Sequence, residues 1–303
     1  MLFLLTANSL NISVVLDKHI KCPAKINLFL KIVGKQGGYH QLESALTTID
    51  LFDDLLVEES SKTEIIIKGE YAGKVDPHNN LFTTILDFFH KEFSISKNLK
   101  ITITKNIPVL AGLGGGSSNA AYFMIALNNI FELNLSSKKL QELSFNFGSD
   151  IAFFIATKKS ALIKGRGEVD EILELEDKKI LLVNPNKPLS TKEVFNHYNQ
   201  TRLPRFARND EDKQSSLVIA SEAWQSMSYT DLAKIENDLQ DTAIKLLPEI
   251  KTILTTFKEK GAEIAKMSGS GPTCFAIFNN DEDLKNCYNY FNKNHPKYFS
   301  LIA

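Results

Sequence analysis

The stretch that most limits what this chain can fold into is Asn106-Ile-Pro-Val-Leu-Ala-Gly-Leu-Gly-Gly-Gly-Ser-Ser-Asn-Ala-Ala121, which has four glycines in five positions and two serines directly after them. Before it, Lys100-Ile-Thr-Ile-Thr-Lys105 alternates polar and apolar residues and carries β-branched side chains, the period of a strand. After it, Ala120 to Phe131 holds good helix formers with no Gly or Pro. A strand, a glycine-rich turn and a helix in that order make an anion site. Glycine removes the Cβ atoms that would keep backbone N–H groups away from a ligand, and the helix aims its unpaired N–H groups and positive dipole end at the same spot. The expectation is a phosphate cradle large enough for a triphosphate, from Pro108 through Val109, Leu110, Ala111, Gly112, Leu113, Gly114, Gly115, Gly116 and Ser117 to Ser118. Two common phosphate loops are excluded by spacing: a Walker loop needs a lysine after its last glycine, where this chain has Ser117, and a dinucleotide fingerprint counted from Gly112 ends on Ser117 without a later acidic residue. The alternative is a ligand-free turn, which has less use for so many glycines ahead of paired serines.

At 303 residues with 43% hydrophobic content the chain can bury a real core as one large domain or two ordinary ones. With 35 basic against 36 acidic residues, its global balance gives no reason for nucleic acid or an anionic membrane as partner. Three scattered cysteines, Cys22, Cys274 and Cys287, indicate neither a disulfide framework nor a zinc site and leave no metal ligand set. Met1-Leu-Phe-Leu-Leu5 is apolar but lacks a basic flank, and no run approaches the ~20 apolar residues of a membrane span. The expectation is a soluble cytoplasmic protein with a short N-terminal extension of about 20 residues, and a strand within it at Ile12 to Leu16.

Along the rest of the chain, Cys22 to Val33 reads as one strand, with Ile26, Leu28, Leu30 and Ile32 on one face and Lys25, Asn27, Phe29 and Lys31 on the other. Gly34-Lys-Gln-Gly-Gly-Tyr-His40 is a turn with an aromatic ring and an imidazole at its exit. Further strands are expected at Asp53 to Glu58, Glu64 to Lys68, around Ala161 to Asp170 with a Gly165-Arg-Gly167 turn, and at Lys179 to Asn184, Ala262 to Ser268, Thr273 to Phe278 and Tyr298 to Ile302. Helices are expected at Asn80 to Phe93, Ser136 to Phe147, Leu232 to Leu247, Glu249 to Lys260 and Glu282 to Asn294. Ser149-Asp150 ahead of the apolar run Ile151 to Ala156 has the look of an ordinary helix cap. Residues 1–170 and 171–303 form the expected halves, and the polar, weakly periodic stretch at about 205–228 a surface insertion.

Three separated motifs then stand in order: Pro23-Ala-Lys-Ile-Asn-Leu28, the loop from Pro108 to Ser118, and Ser268-Gly-Ser-Gly-Pro272. Together they resemble the GHMP kinase superfamily. Within it, the Pro23-Ala-Lys-Ile-Asn-Leu28 start, the Gly38-Tyr-His40 turn and the Gly112-Leu-Gly-Gly-Gly-Ser-Ser-Asn-Ala-Ala121 core together most resemble the branch that phosphorylates the 2-hydroxyl of a cytidine diphosphate methylerythritol in non-mevalonate isoprenoid synthesis. The resemblance implies an α+β fold of two domains with the active site in the interdomain cleft, an ATP-dependent small-molecule kinase, and MgATP as cosubstrate with Ser117 the hydroxyl nearest magnesium. It also implies a monomer or weak dimer with no nucleic-acid or membrane partner. Lys25 and Asp150 fall on the catalytic positions, Asp150 taking the proton of the acceptor hydroxyl and Lys25 steadying Asp150 and the developing negative charge. Asn27 falls on a ligand of the erythritol part, Tyr39 and His40 against the cytosine, Phe195 on the opposing aromatic with Thr191 nearby, and Asn237-Asp-Leu239 on a structural helix motif.

The chain departs from the resemblance in three places. Val109-Leu-Ala111 stands where relatives carry more glycine, the N-terminal extension precedes the usual start, and the insertion resembles peptide translated from palindromic repeat elements. A homoserine or mevalonate kinase is an alternative that the ring-bearing motifs disfavour, since those substrates have no base to stack. A non-catalytic nucleotide- or RNA-binding module is a further one, disfavoured by the balanced charge and by Lys25 with Asp150.

Overall fold

The computed structural model describes residues 19–76, 80–157, 159–201 and 226–303. The strand expected at 12–16 and nearly all of the insertion lie outside them.

Two sheets carry the described chain. The larger has seven strands: β1 (Ile20–Asn27), β2 (Lys31–Gln36), β3 (Tyr39–Glu59), β4 (Glu64–Lys68), β5 (Leu99–Thr104), β6 (Ser160–Gly165) and β7 (Glu168–Leu173). It runs β4-β5-β3-β6-β7, with β1 and β2 also paired to β3. The 21-residue β3 is its spine, lying antiparallel to β1, β2, β5 and β6, while β4 and β5 are parallel. The smaller sheet, β11-β8-β10-β9, is antiparallel and built from β8 (Ile180–Asn184), β9 (Ile264–Met267), β10 (Cys274–Ile277) and β11 (Phe299–Ile302).

On the larger sheet lie α1 (Leu81–Glu92), α2 (Gly115–Ile130), α3 (Ser137–Ser144) and α4 (Ile151–Ala156), whose Phe89, Phe123 and Phe153 share one core with Ile101 and Ile103 of β5. On the smaller sheet lie α5 (Thr191–Thr201), α6 (Tyr229–Lys234), α7 (Gln240–Leu246), α8 (Glu249–Glu259) and α9 (Asp281–Asn294), with Phe257 and Phe291 packed in one core with Leu181 and Val183. A third cluster joins the sheets: Ala24 and Ile26 of β1 pack in it with Leu182 and Phe275. Because side chains alternate along a strand, burying Ala24 and Ile26 there turns Lys25 and Asn27 the other way, into a cleft.

The strand expected at Asp53 to Glu58 lies at the end of the longer β3, and the stretch around Ala161 to Asp170 is the two strands β6 and β7. Two further differences arise because a polar group found a better partner. The strand expected over 22–33 is interrupted after Asn27, and Leu30 exchanges backbone hydrogen bonds with the 236–238 segment rather than with a continuing sheet neighbour. The helix expected over 232–247 is two helices. Asn237 lies between them, with its Nδ2 donating to the carbonyls of Met267 (2.9 Å) and Gly269 (2.8 Å) and its Oδ1 accepting from the N–H of Leu239 (3.0 Å). A buried asparagine that satisfies loop carbonyls in this way competes with continuing the helix. Near the same place, the buried Lys266 donates to the carbonyls of Leu28, Ala233 and Ile235, tying α6 to the end of β1.

Candidate active site

The glycine stretch begins its helix earlier than expected: α2 starts at Gly115, so Gly115, Gly116 and both serines lie in its first turn. Gly114, the residue before it, is left-handed at φ +67° and has no side chain with which to cap the helix, and the first turn contains no acidic residue. The opening N–H groups of a 16-residue helix are therefore free of a side-chain cap and its dipole is unopposed, as a bound anion requires. Nothing lies within 4 Å of the place a Cβ would occupy on Gly116. Ser118, by contrast, is buried with a hydroxyl that has no partner among the described residues, while Ser117 lines the cleft. Leu110 is 60% exposed and left-handed at the tip of the loop.

Three chain segments interlock behind this turn. The N–H of Lys25 donates to the carbonyl of Leu113 (2.9 Å), the N–H of Asn27 to Ser268 Oγ (3.2 Å), and Ser268 Oγ to the carbonyl of Gly112 (3.1 Å). Gly112 has φ +75°, and a Cβ there would stand 2.5 Å from the carbonyl oxygen of Ser268. A Cβ on Gly114 would stand 2.9 Å from Cγ of Lys25. Only glycine permits either approach.

Lys25 is buried and donates to Asn27 Oδ1 (2.6 Å), and its Nζ lies 3.3 Å from Oδ2 of Asp150. Asn27 in turn is aimed by Ser44, whose Oγ accepts from its Nδ2 (2.8 Å) and donates to the carbonyl of Phe29. With two partners named among the described residues, an ammonium with three hydrogens retains one for a ligand. Asp150 occupies the position before α4, yet its side chain makes no capping bond; the carboxylate, about a third exposed, turns to Lys25 instead. The ordinary-cap reading of Asp150 thus fails. The arrangement offers a proton acceptor and a fixed cation beside an uncapped helix end, in one cleft of about 650 Å³.

A pair of stacked rings borders that cleft, with Phe195 at its wall. Phe195 and Thr191 line it, and Thr191 Oγ1 lies 2.8 Å from Ser270 Oγ. The rings of His40 and Phe195 stack on each other at 4.9 Å between centroids and 23° between planes, so no third ring fits between those two faces. Burial, helped by Lys35 and opposed by a hydrogen bond with Asn199, holds the His40 imidazole below its usual value. A neutral imidazole presents one donor and one acceptor, the combination a base edge can use. Tyr39 is 57% exposed with the guanidinium of Arg166 at 4.1 Å from its ring, and neither Tyr39 nor His40 is among the residues lining the cleft itself.

Some of the lining was not anticipated from the sequence. Lys74, Val75 and Asp76 form one wall beside Leu81 and Phe82, and Lys105 stands at the base of the loop. Lys105 Nζ donates to Asn119 Oδ1 (2.7 Å) and pairs with the fully buried Asp53, whose Oδ1 accepts from the N–H groups of Asn106 (2.7 Å) and Ile107 (2.9 Å). This network fixes where the loop leaves β5. Full burial of Asp53 is permitted only with such partners. No cluster of three or more His, Cys, Asp or Glu side chains able to hold a metal occurs among the described residues, and none of their helices is long and apolar enough to cross a membrane.

Comparison with known proteins gives a consistent picture. Residues 80–158 match the GHMP kinases N terminal domain and residues 220–297 match GHMP kinases C terminal. The chain is similar to 4-diphosphocytidyl-2-C-methyl-D-erythritol kinase of Ehrlichia ruminantium (strain Gardel), 36% identical over 278 residues, covering 88% of this chain and 91% of that one. The enzyme of the same description from Macrococcus caseolyticus (strain JCSC5402) is 35% identical over 270 residues, covering 88% and 92%. Among solved structures, a crystal structure of 4-(cytidine 5'-diphospho)-2C-methyl-D-erythritol kinase superposes with a TM-score of 0.71 at 24% identity, covering 93% of this chain and 98% of that one. L. major mevalonate kinase in complex with R-mevalonate superposes at 0.66 with 17% identity, covering 94% of each. These two likenesses show the fold alone.

Proposed function

The chain belongs to the GHMP kinases, and from that premise we propose that it transfers the γ-phosphoryl group of ATP to the 2-hydroxyl of 4-diphosphocytidyl-2-C-methyl-D-erythritol in non-mevalonate isoprenoid precursor synthesis. The observation that carries the chemistry is the Lys25–Asp150 pair at 3.3 Å beside an uncapped helix end. The acceptor is chosen by whole-length similarity to enzymes named for it, and the stacked rings of His40 and Phe195, with Tyr39 next in sequence, give that choice a physical basis.

The triphosphate sits against Gly112 to Ser117, its charge met by the first-turn N–H groups of α2. Asp150 accepts the proton of the tertiary hydroxyl as that oxygen attacks the γ-phosphorus, and the uncommitted hydrogen of Lys25 meets the charge spreading over the transferred group. Asn27, held by Lys25 and Ser44, orients the erythritol part. Magnesium, carried in with ATP, would neutralise phosphate charge, and the residues present suit that role: Ser117 and Asp150 line the cleft, and no protein cage is required when phosphates supply most of the ligands. Cytosine is received by Tyr39, His40 and Phe195, with the His40–Phe195 contact opening or the base stacking on an outer face of the cluster. Division of the chain near residue 170 into ATP-side and substrate-side halves is part of this reading, as is a small-molecule acceptor met in the cytoplasm.

Coupled ATP-to-ADP turnover is the test, run with the cytidine diphosphate substrate beside homoserine and mevalonate. Turnover on the first alone is expected; turnover only on one of the others would falsify the assignment.

A further inference from the structure

We propose that Arg166, at the tip of the hairpin between β6 and β7, binds the diphosphate of the acceptor substrate. The proposal rests on the cytidine diphosphate reading above and adds the residue that bridges its two ends. Leu42 pairs with Gly165, so the hairpin runs beside the start of β3 and its tip passes Gln41 toward Tyr39. There the Arg166 guanidinium lies 4.1 Å from the centroid of the Tyr39 ring. The next residue, Gly167, has φ +126°, and a Cβ on it would stand 2.6 Å from the carbonyl oxygen of Ser149. The tip is therefore seated on the backbone immediately before Asp150, and the N–H of Arg166 is fixed by the carboxylate of Glu168 at 2.6 Å.

One rigid turn thus joins the base-receiving ring to the residue that accepts the hydroxyl proton. In a nucleoside diphosphate ester the order of groups is base, ribose, diphosphate, alcohol, so the ribose and the diphosphate must lie between those two residues, and of the two the diphosphate is the anion that calls for a cation. Arg166 has the donors for it. Its Nε is buried and has no hydrogen-bond partner among the described residues, so the protein itself leaves that donor unsatisfied. A planar guanidinium stacked on a ring keeps its in-plane N–H groups directed outward, a geometry that suits two phosphate oxygens. Of the cations that line the cleft, Lys105 is held by Asp53 and Asn119, Lys74 lies over the ring of Tyr71, and the one hydrogen that Lys25 keeps from Asn27 and Asp150 is assigned to the transferred group.

Cytidine and cytidine 5'-diphosphate are the probes that isolate this contact, measured by calorimetry or competition on wild type, Arg166→Ala, Arg166→Lys and Tyr39→Ala. Wild type is expected to prefer the diphosphate, and Arg166→Ala to lose about tenfold or more in affinity for it while cytidine changes far less. Arg166→Lys should recover part of the loss, and Tyr39→Ala should weaken both probes while preserving their ratio. Equal weakening of both probes by Arg166→Ala would assign Arg166 to holding Tyr39 and overturn the proposal, as would no change in either. Turnover of the full acceptor by wild type, measured alongside, separates the two claims. Turnover with a diphosphate preference independent of Arg166 overturns this site alone. An Arg166-dependent preference without turnover overturns the substrate assignment and supports the diphosphate site.

Discussion

The two ends of the cleft are held by different means. At the phosphate end the contacts all have backbone on at least one side: the N–H of Lys25 donates to the Leu113 carbonyl, the Ser268 hydroxyl joins the Asn27 N–H to the Gly112 carbonyl, and the Asn237 amide grips the carbonyls on either side of that serine. At the base end they run through side chains: His40 against Phe195, Arg166 over an exposed Tyr39. Backbone locks leave little room to adjust and suit chemistry whose geometry is the same in every turnover, while stacked rings on a hairpin exit can separate and close again around a ligand. The difference suggests that the reaction geometry is set before substrate arrives and that recognition is completed on arrival.

Mutations can break or sharpen that contrast. The largest effect is expected from Asp150→Asn, which should lower kcat by about 10² or more with ATP binding nearly intact, as single-turnover kinetics and nucleotide titration would report. An unchanged kcat would remove Asp150 from the reaction. Gly112→Ala should come next, because its Cβ would collide with the Ser268 carbonyl at 2.5 Å in a left-handed conformation. A loss of about 2 kcal/mol or more in denaturant unfolding is expected, with damage to both substrates' binding. If Gly112→Ala unfolds at the wild-type midpoint and binds normally, the phosphate end is softer than its contacts imply. Phe195→Ala should be more selective, raising the acceptor KM about fivefold to tenfold while the KM for ATP stays within twofold, as expected from a lost ring contact. Equal effects on both KM values would mean that the ends are not separable.

The smallest effect is a pH dependence confined to the base end. The folded His40 is held below its ordinary 6.5, chiefly by burial, so its packing contributes fully above that value and is lost as pH falls through the lowered folded value. The acceptor KM should therefore rise about twofold to threefold on acidification below pH 6.5, with the KM for ATP unaffected by this group. His40→Asn should flatten the difference, and parallel pH profiles for the two substrates would refute the assignment.

The same contrast governs how much could be read from the chain. Glycine spacing and strand alternation made the phosphate loop legible, since each is a local rule, and Lys25 and Asn27 face the cleft because Ala24 and Ile26 face the core. The roles of Lys25 and Asp150 came from resemblance, the local rule at Asp150 having pointed to a cap. The break at Asn237 was hidden, because its helix competes with carbonyls 30 and 32 residues away that no local pattern reports. Asp53 was placed only as the start of a strand among other acidic residues, and neither its burial nor its partners at 105 and 119 could be read locally. At the base end the rings were nameable only through resemblance, and their mutual stacking depends on how a hairpin and α5 meet across the molecule. Arg166 went unnoticed because nothing in Gly165-Arg-Gly167 distinguishes a functional arginine from an exposed turn.

The contact between Gly112 and Ser268 has a consequence in time. During synthesis the early strand and the glycine loop emerge long before the turn that closes on them, separated from it by more than half the chain. Until residue 268 and its neighbours are made, the carbonyl of Gly112 and the N–H of Asn27 lack the serine that both use, and the loop has no wall at its back. Contacts of such sequence separation form late. A chain released early could pack its first core around Phe89 and Phe123 yet hold an open loop, so phosphotransfer capacity is acquired at the end of translation, and prematurely terminated products are silent rather than partly active.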